Sequence, residues 1–520
     1  MRSSRPWSRR EVLVAAAATA ASAALPGWAR AASGAPPALL IRDVRVVDGT
    51  GAPALAADVL VRGERIERIG RIAAGAVRGA RIVEGGGRVL APGFIDLHVH
   101  GDPLTQSYVS HLAMGATTVV LGQDGGSPGP DDDATAGIGA WFEALERTLP
   151  DINVATTSGH GSLRRQAGID DATRVPSAAQ VARMAALLQA DLAAGAFGMS
   201  TGLEYVPGIY TSPGELAPLA GVLARHDAVA MSHMRSEDED KVDAAILEHV
   251  AASRPARTHV SHLKVVHGKG AERAERTLAG LDRLRRSGVP LTADAYPYIA
   301  SYTTIGILFP EWALPPTDYA QVVAARRDEL RAWLEQRMLR RGGPDALLFG
   351  TGEHAGKTLA QVTQADGRAW PDLLLALGPQ GGQAAHFVMD QALQARILVD
   401  PHVAIASDGS PKGRHPRGHG TFATWIEEFV VNQGRVSLEE AVRKATRLPA
   451  SILKLKDRGT IRAGAIADLV LFDPARVRGR ADYVNPFALA EGFDLVLLSG
   501  QPAYENGEPT GRHGRLVRRA

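Results

Sequence analysis

The sequence predicts an α/β protein: a (β/α)8 TIM-type barrel, a small β-sandwich formed from both chain ends, and an insertion over the barrel mouth. Three observations lead there. The middle of the chain alternates short apolar strands with helical patterns, which argues for parallel βα units. Both ends instead alternate apolar and polar residues between glycine turns, the pattern of antiparallel strands. One connection, from Asp294 to Val403, is about a hundred residues long, a length that calls for structure of its own or a function.

Taken in order, the chain opens with twin arginines, Arg9-Arg10, ahead of an Ala/Val-rich run and the small-x-small stretch Ala29-Arg30-Ala31. Residues 1–31 resemble a twin-arginine export signal, which implies the twin-arginine export machinery as a partner and a periplasmic or extracellular mature chain. The run is shorter than the roughly 18 apolar residues a membrane anchor needs. An ordinary secretory signal carrying two arginines by chance is the competing reading.

Residues 38–91 and 449–520 form the expected discontinuous β-sandwich, with 92–448 as the barrel and 296–360 as an inserted lid. Barrel strands are expected near residues 93–100, 117–122, 152–158, 197–201, 228–233, 258–264, 290–294 and 403–408. A doubly wound open sheet would want a Gly-rich phosphate turn after its first strand, and none follows this one.

Composition narrows the function by exclusion. The chain of 520 residues is 45% hydrophobic and 22% charged with a formal charge of +2, which gives no reason to expect nucleic acid or a membrane surface as partner. It has no cysteine, so disulfides, thiolate ligands and a cysteine nucleophile are all ruled out. An exported protein without disulfides suits a route that carries folded, metal-loaded protein.

The chemistry is expected at the carboxyl ends of the barrel strands. The first strand ends in His98-Val99-His100, two imidazoles on one face about 7 Å apart by strand rise. The second leads to Asp124, and the third to Ser158-Gly159-His160-Gly161. The fifth gives His233 and then Arg235, the sixth His262 and Lys264, the seventh Asp294 and Tyr296, and the eighth Asp408. Four histidines and two aspartates (His98, His100, Asp124, His233, His262 and Asp408) on one rim would be an expensive desolvation without a metal partner. The all-nitrogen-and-oxygen set suits Zn2+, with Mn2+, Co2+ or Fe2+ as lesser candidates.

Gly93–His100, His233, His262 and the Ser407-Asp408-Gly409 turn resemble the amidohydrolase superfamily. Narrower motifs resemble its D-aminoacylase (N-acyl-D-amino-acid deacylase) branch: Gly198–Tyr205, Ser232-His233-Met234-Arg235, Ser261-His262-Leu263-Lys264, Asp294–Tyr298 and His415–Phe422. The resemblance covers nearly everything after the leader. It departs at one place, because after Gly-x-Thr-Thr-Val-Val the branch carries a metal-ligating cysteine and this chain has Asp124.

The resemblance implies hydrolysis of the amide between an acyl group and a D-amino acid, with one or two Zn2+ ions. It assigns Asp124, His233 and His262 to a tighter metal site and His98, His100 and Asp408 to a second. Asp408 is the implied general base and acid, Lys264, Arg417 and Tyr296 grip the substrate's α-carboxylate, and Tyr205 polarises the carbonyl. The apolar run Ile305–Phe309 offers no cation for a second carboxylate and favours neutral or apolar side chains. Two other readings stand beside this one: an exported dipeptidase or cyclic-amide hydrolase acting on D- or isoaspartyl-containing peptides, and a non-catalytic binding protein that kept the barrel.

Overall fold

A computed structural model describes residues 38–519 apart from 74, 76 and 129–136, so the leader lies outside the described residues. Eight short parallel strands surround a common axis. Ala116–Leu121 stands between Phe94–Asp96 and Asn153–Thr156; a second sheet runs Ser158–Gly159, Gly198–Gly202, Val229–His233, Arg257–Val260, Leu291–Ala295 and Val403–Ile405. The two sheets share the third barrel strand, which is broken at Thr157, whose N–H donates to Leu121 O (3.0 Å). At the other seam a parallel bridge joins Val99 to Gly409, with Asp408 N–H on His98 O (2.9 Å) and His100 N–H on Gly409 O (2.8 Å). These are the eight strand positions expected from the sequence.

The strands are nearly all buried because both of their faces are covered, one by neighbouring helices and one by the barrel interior. Ile95, Leu97, Val120, Ala155, Phe197, Val229, Met231 and Ala404 fill one end of the axis. With that end plugged by apolar side chains, the polar residues at the strand carboxyl ends are left facing the open end.

The chain ends build one nine-stranded sheet, in which Val89–Pro92 pairs antiparallel with Leu469–Phe472 (Pro92 opposite Leu469). This sheet does not take all of 449–520. The helix Arg447–Leu453 puts Ala450, Ile452 and Leu453 into the apolar plug of the barrel. The last residues also lie on the barrel: Val154 N–H donates to Arg515 O (2.8 Å) and Val517 N–H to Val154 O (2.7 Å). Their backbone groups find partners there that the already paired sheet strands cannot offer.

The insertion reaches past the expected 360. Ser301–Thr304, Gln383–His386 and Leu347–Phe349 form a separate antiparallel sheet, with Gln383–His386 in the centre. The helix Tyr319–Arg340 packs on this unit, its first turn capped by Asp318 Oδ1 accepting from Ala320 N–H (3.0 Å) and Gln321 N–H (3.3 Å). Its own core of Ile305, Leu308, Leu330, Leu334, Met338, Leu347, Phe349 and Leu374 explains how so long a connection stays ordered. No helix among the described residues is long and apolar enough to cross a membrane.

Candidate metal centre

The strand ends bring all six expected ligands together. His98 Nε2 lies 3.4 Å from Asp124 Oδ1 and 3.6 Å from Asp408 Oδ1, and His100 Nε2 lies 3.1 Å from Asp408 Oδ1 and 3.6 Å from Asp124 Oδ2. Across the barrel, His262 Nε2 is 3.4 Å from Asp124 Oδ1, and His233 Nδ1 is 3.0 Å from His262 Nε2. Among the described residues three donor groups have ligand atoms within 4.8 Å of one another: His98/His100/Asp124/Asp408 and Asp124/His233/His262, both containing Asp124, and beside them Glu204/His233/Glu237.

These residues fit a divalent metal. Both ring nitrogens of His98 and Asp124 Oδ1 are buried without a hydrogen-bond partner, although polar atoms surround them. A cation held among these donors would satisfy His98 Nε2 and Asp124 Oδ1, whose desolvation otherwise carries a large penalty. The field has the same sense. Burial and Lys264 oppose charge on His262, yet Asp408, Asp124 and Glu237 outweigh them and push its pKa up to about 10. Burial resists ionisation of Asp124, but His98 and His262 hold its carboxyl well below the ordinary range. The carboxylates are therefore ionised and call for positive charge.

Local backbone geometry is specialised to aim these groups. Asp124, His262 and Asp408 all sit at left-handed φ (52°, 35° and 52°), a conformation that side chains other than glycine adopt at a cost and that clusters at functional sites. Gly122 (φ 76°) starts the turn that presents Asp124, and a Cβ there would lie 2.0 Å from Thr157 O.

Several residues position the ligands without joining them. Asp96 Oδ1 accepts from Ser407 N–H (2.8 Å) and His98 N–H (3.3 Å), tying the first strand to the eighth; burial raises its pKa to about 7. Asp294 Oδ1 accepts from His262 N–H (2.6 Å), and its Oδ2 meets His259 Nε2 (2.7 Å). Two glutamates went unread in the sequence. Glu237 Oε1 accepts from Lys264 Nζ (2.7 Å) and lies 3.1 Å from His262 Nδ1, while Glu204 Oε2 lies 3.0 Å from His233 Nε2. A carboxylate on the far nitrogen of a metal-binding histidine fixes its tautomer and orientation.

The expected substrate residues are present, with differences. Arg417 Nη1 donates to Asp408 Oδ2 (2.7 Å), and Lys264 is held by Glu237, so both cations already have protein partners. The Tyr296 hydroxyl lies 3.9 Å from Met389 Sδ. Its buried ring lies 5.0 Å from the Arg417 guanidinium and 5.8 Å from Lys264 Nζ. The ring is thus a platform for the two cations, a cation–π arrangement. Tyr205 does face the centre, its hydroxyl 3.3 Å from His233 Nδ1 and accepting from Thr303 Oγ1 (3.3 Å). Burial and then Asp124 push its pKa well up, so it is a neutral O–H donor. His160 is not at the centre: it pairs with Glu215 (2.9 Å), which also holds Arg164 (2.6 Å), in a fully buried network.

Above the centre opens a cavity of about 1350 Å3, floored by His100, Asp124, Asp408 and Arg417 and walled by Ile307, Phe309 and Trp333 of the insertion. A nitrogen-and-oxygen metal centre at the carboxyl ends of a (β/α)8 barrel, with a sheet built from both chain ends, defines a metal-dependent amidohydrolase. Comparison with known proteins agrees. The Amidohydrolase family model matches residues 377–504. An N-acyl-D-glutamate deacylase of Alcaligenes xylosoxydans xylosoxydans is 35% identical over 504 residues, 92% of this chain and 96% of that one. The crystal structure of an N-acyl-D-glutamate deacylase from Bordetella bronchiseptica, complexed with zinc and a phosphonate inhibitor, matches at 33% identity and TM-score 0.80 over 93% of this chain and 100% of that one. A D-aminoacylase structure with a binuclear metal centre matches at 31% identity and TM-score 0.79, covering 92% and 99%. The chain belongs to the D-aminoacylase (N-acyl-D-amino-acid deacylase) branch of the amidohydrolase superfamily.

Proposed function

We propose that this protein hydrolyses the amide bond of N-acyl-D-amino acids, releasing a carboxylate and a free D-amino acid, with one or two Zn2+ or similar divalent ions held by His98, His100, Asp124, His233, His262 and Asp408. The observation that carries the reading is the pair of donor groups joined through Asp124. Metal at such a site lowers the pKa of water toward about 7 and polarises the scissile carbonyl.

The chain's own residues supply the rest. Asp408 Oδ1, open to the cavity floor, takes a proton from the attacking water and delivers it to the amide nitrogen as the C–N bond breaks. That return matters because an unprotonated amine leaves poorly. Tyr205 offers its O–H to the carbonyl oxygen. Lys264 and Arg417 line the same inner wall, where a substrate α-carboxylate can share them with Glu237 and Asp408; Arg suits bidentate carboxylate binding. The apolar wall of the insertion leaves room for an acyl group larger than acetyl.

A dipeptidase would need a spare anion for a free amine. The cavity's Asp238 and Glu248 are instead paired with Arg337 (2.8 Å) and Arg235 (2.9 Å), and Glu204 with His233, which favours an acylated nitrogen. The twin-arginine leader supports export to the periplasm or beyond, and lysines in place of Arg9 and Arg10 should retain the protein in the cytoplasm. The activity is tested with purified protein on paired N-acetyl-D- and N-acetyl-L-amino acids. Hydrolysis of the D series alone is expected; equal hydrolysis of both, or of neither, contradicts the reading.

A further inference from the structure

The helix Arg417–Thr424 starts on Pro416 with no side-chain cap, and the Arg417 N–H, at its first position, has no partner within the helix. His415, two residues earlier and 2% exposed, supplies one: its Nδ1 accepts from Arg417 N–H (3.1 Å). A ring nitrogen that accepts leaves the proton on the other, and Nε2–H donates to Ala300 O (3.1 Å). One neutral tautomer is thereby fixed, and burial and then Arg417 hold the pKa well below the ordinary histidine value. The ring is wedged among Tyr298, Tyr302 and Tyr483, whose centroids lie 5.6, 6.1 and 5.1 Å away. Three distant stretches of chain therefore meet at this imidazole: the root of the insertion, the start of the helix, and the segment that follows the strand Leu469–Phe472.

Arg417 links the imidazole to the chemistry. Its Nη1 donates to Asp408 Oδ2 (2.7 Å) and its Nη2 to Tyr302 O (3.2 Å). The backbone leaves little slack between the base and the cation: a Cβ on Gly418 would lie 2.4 Å from Ser410 O, and one on Gly409 would lie 2.6 Å from Gly418 Cα. The turn that carries Asp408 and the helix start that carries Arg417 are thus packed backbone to backbone. A displacement of about 1 Å in such a group can cost roughly 100-fold in rate. Both ring nitrogens of His415 are engaged with the protein, so it offers substrate neither a donor nor an acceptor.

We infer that His415 is a positioning residue: by bonding Arg417 N–H and Ala300 O at once, it sets the Arg417 guanidinium against the substrate α-carboxylate and Asp408, a role that rests on the deacylase reading above.

The test uses the metal-loaded mature enzyme with the N-acetyl-D-amino acid that the parent hydrolyses best and with the α-carboxamide of the same compound. The parent should favour the carboxylate by about 100-fold in kcat/KM, the scale of charge-assisted pairs to a guanidinium and an ammonium. His415→Phe keeps a ring but makes neither bond. It should cut that preference by about tenfold or more, with KM rising for the carboxylate alone and metal content unchanged. His415→Asn can place Oδ1 where Nδ1 accepts from Arg417 N–H, and should regain most of the preference. A ring that served only packing would lower the active fraction, and so the rate on both substrates alike, leaving KM and the ratio where they were. Should His415→Phe not fold, His415→Gln takes its place with the same expectation, since its amide reaches toward Ala300 O and leaves Arg417 N–H without an acceptor. An unchanged preference in that variant, or His415→Asn equally impaired, overturns the proposal while leaving the deacylase reading intact. A parent with no preference for the carboxylate does the same. A parent that hydrolyses no N-acyl-D-amino acid overturns both.

Discussion

Replacing Asp124 perturbs the carboxylate that joins two donor groups. Its Oδ1 lies 3.4 Å from His98 Nε2 and from His262 Nε2, and its Oδ2 lies 3.6 Å from His100 Nε2. Asp124→Ala leaves the second group as His233 and His262 with no carboxylate, and leaves Asp408 as the one carboxylate beside His98 and His100 in the first. Losing a residue that only supports a ligand already costs about 10- to 100-fold in metal affinity. Loss of a ligand shared by two ions should exceed that, so at least a 100-fold weaker affinity is expected, with activity falling in step. Alanine at left-handed φ adds roughly 1–2 kcal/mol of backbone strain. Asp124→Asn separates the two effects, since asparagine tolerates that conformation and removes only the charge. Metal content after dialysis against a competing chelator, measured beside kcat/KM, reads both. Asp124→Cys should regain zinc, because thiolate is a softer donor that suits it, and should shift preference away from harder ions. A chelator-treated Asp124→Ala protein with the parent's metal content and the parent's rate would leave Asp124 as a turn residue and not a ligand.

Three further outcomes follow from the same geometry. Asp408→Asn keeps the shape at Arg417 and should retain metal while losing about 10^3-fold in turnover, within the range for a general base; near-parent turnover of the metal-loaded variant would contradict the assignment. Glu215→Gln removes the anion that Arg164 holds at 2.6 Å in a fully buried site, and should destabilise the fold by roughly 3–5 kcal/mol without altering metal content, read as a lower Tm; an unchanged Tm would contradict it. His249 is buried with Nε2 3.0 Å from His259 O and Nδ1 accepting from Ser253, and burial lowers its pKa to about 4. Above pH 6.5 neither the folded nor the unfolded chain protonates it. Below that only the unfolded chain does, so stability should fall by roughly 3 kcal/mol between pH 7 and 4 on this account. His249→Gln should flatten that part of the urea-midpoint profile, and an identical profile would exclude the residue.

The site was legible where chemistry coincides with a strand end. All six ligands follow apolar strands, so period-two alternation alone sets His98 beside His100, and barrel topology brings Asp124, His233, His262 and Asp408 to the same rim. The residues that escaped notice reach the centre by tertiary routes. Glu237 begins the acidic run Glu237-Asp238-Glu239-Asp240, which reads as a solvated loop. The Asp238–Val266 bridge, with Val266 N–H on Glu237 O (2.8 Å), folds it back onto Lys264. Tyr296 shows the converse. Its place in a motif marks it as a site residue, but the contact of its hydroxyl with Met389 Sδ (3.9 Å), far along the chain, is not visible in the sequence. The insertion's true extent was hidden for a similar reason, since its central strand Gln383–His386 pairs with segments on both sides of the long helix.

The donor set around Asp124 is expected to support metal-dependent deacylation of D-configured substrates. Its most direct test is to strip the purified protein with a chelator and titrate Zn2+ back while following hydrolysis of N-acetyl-D-glutamate and N-acetyl-D-glutamine beside their L enantiomers. No turnover is expected without metal, with recovery within the first one or two equivalents of Zn2+ per chain and hydrolysis confined to the D enantiomers. Undiminished hydrolysis by the metal-free protein, or recovery that favours the L enantiomers, would contradict it.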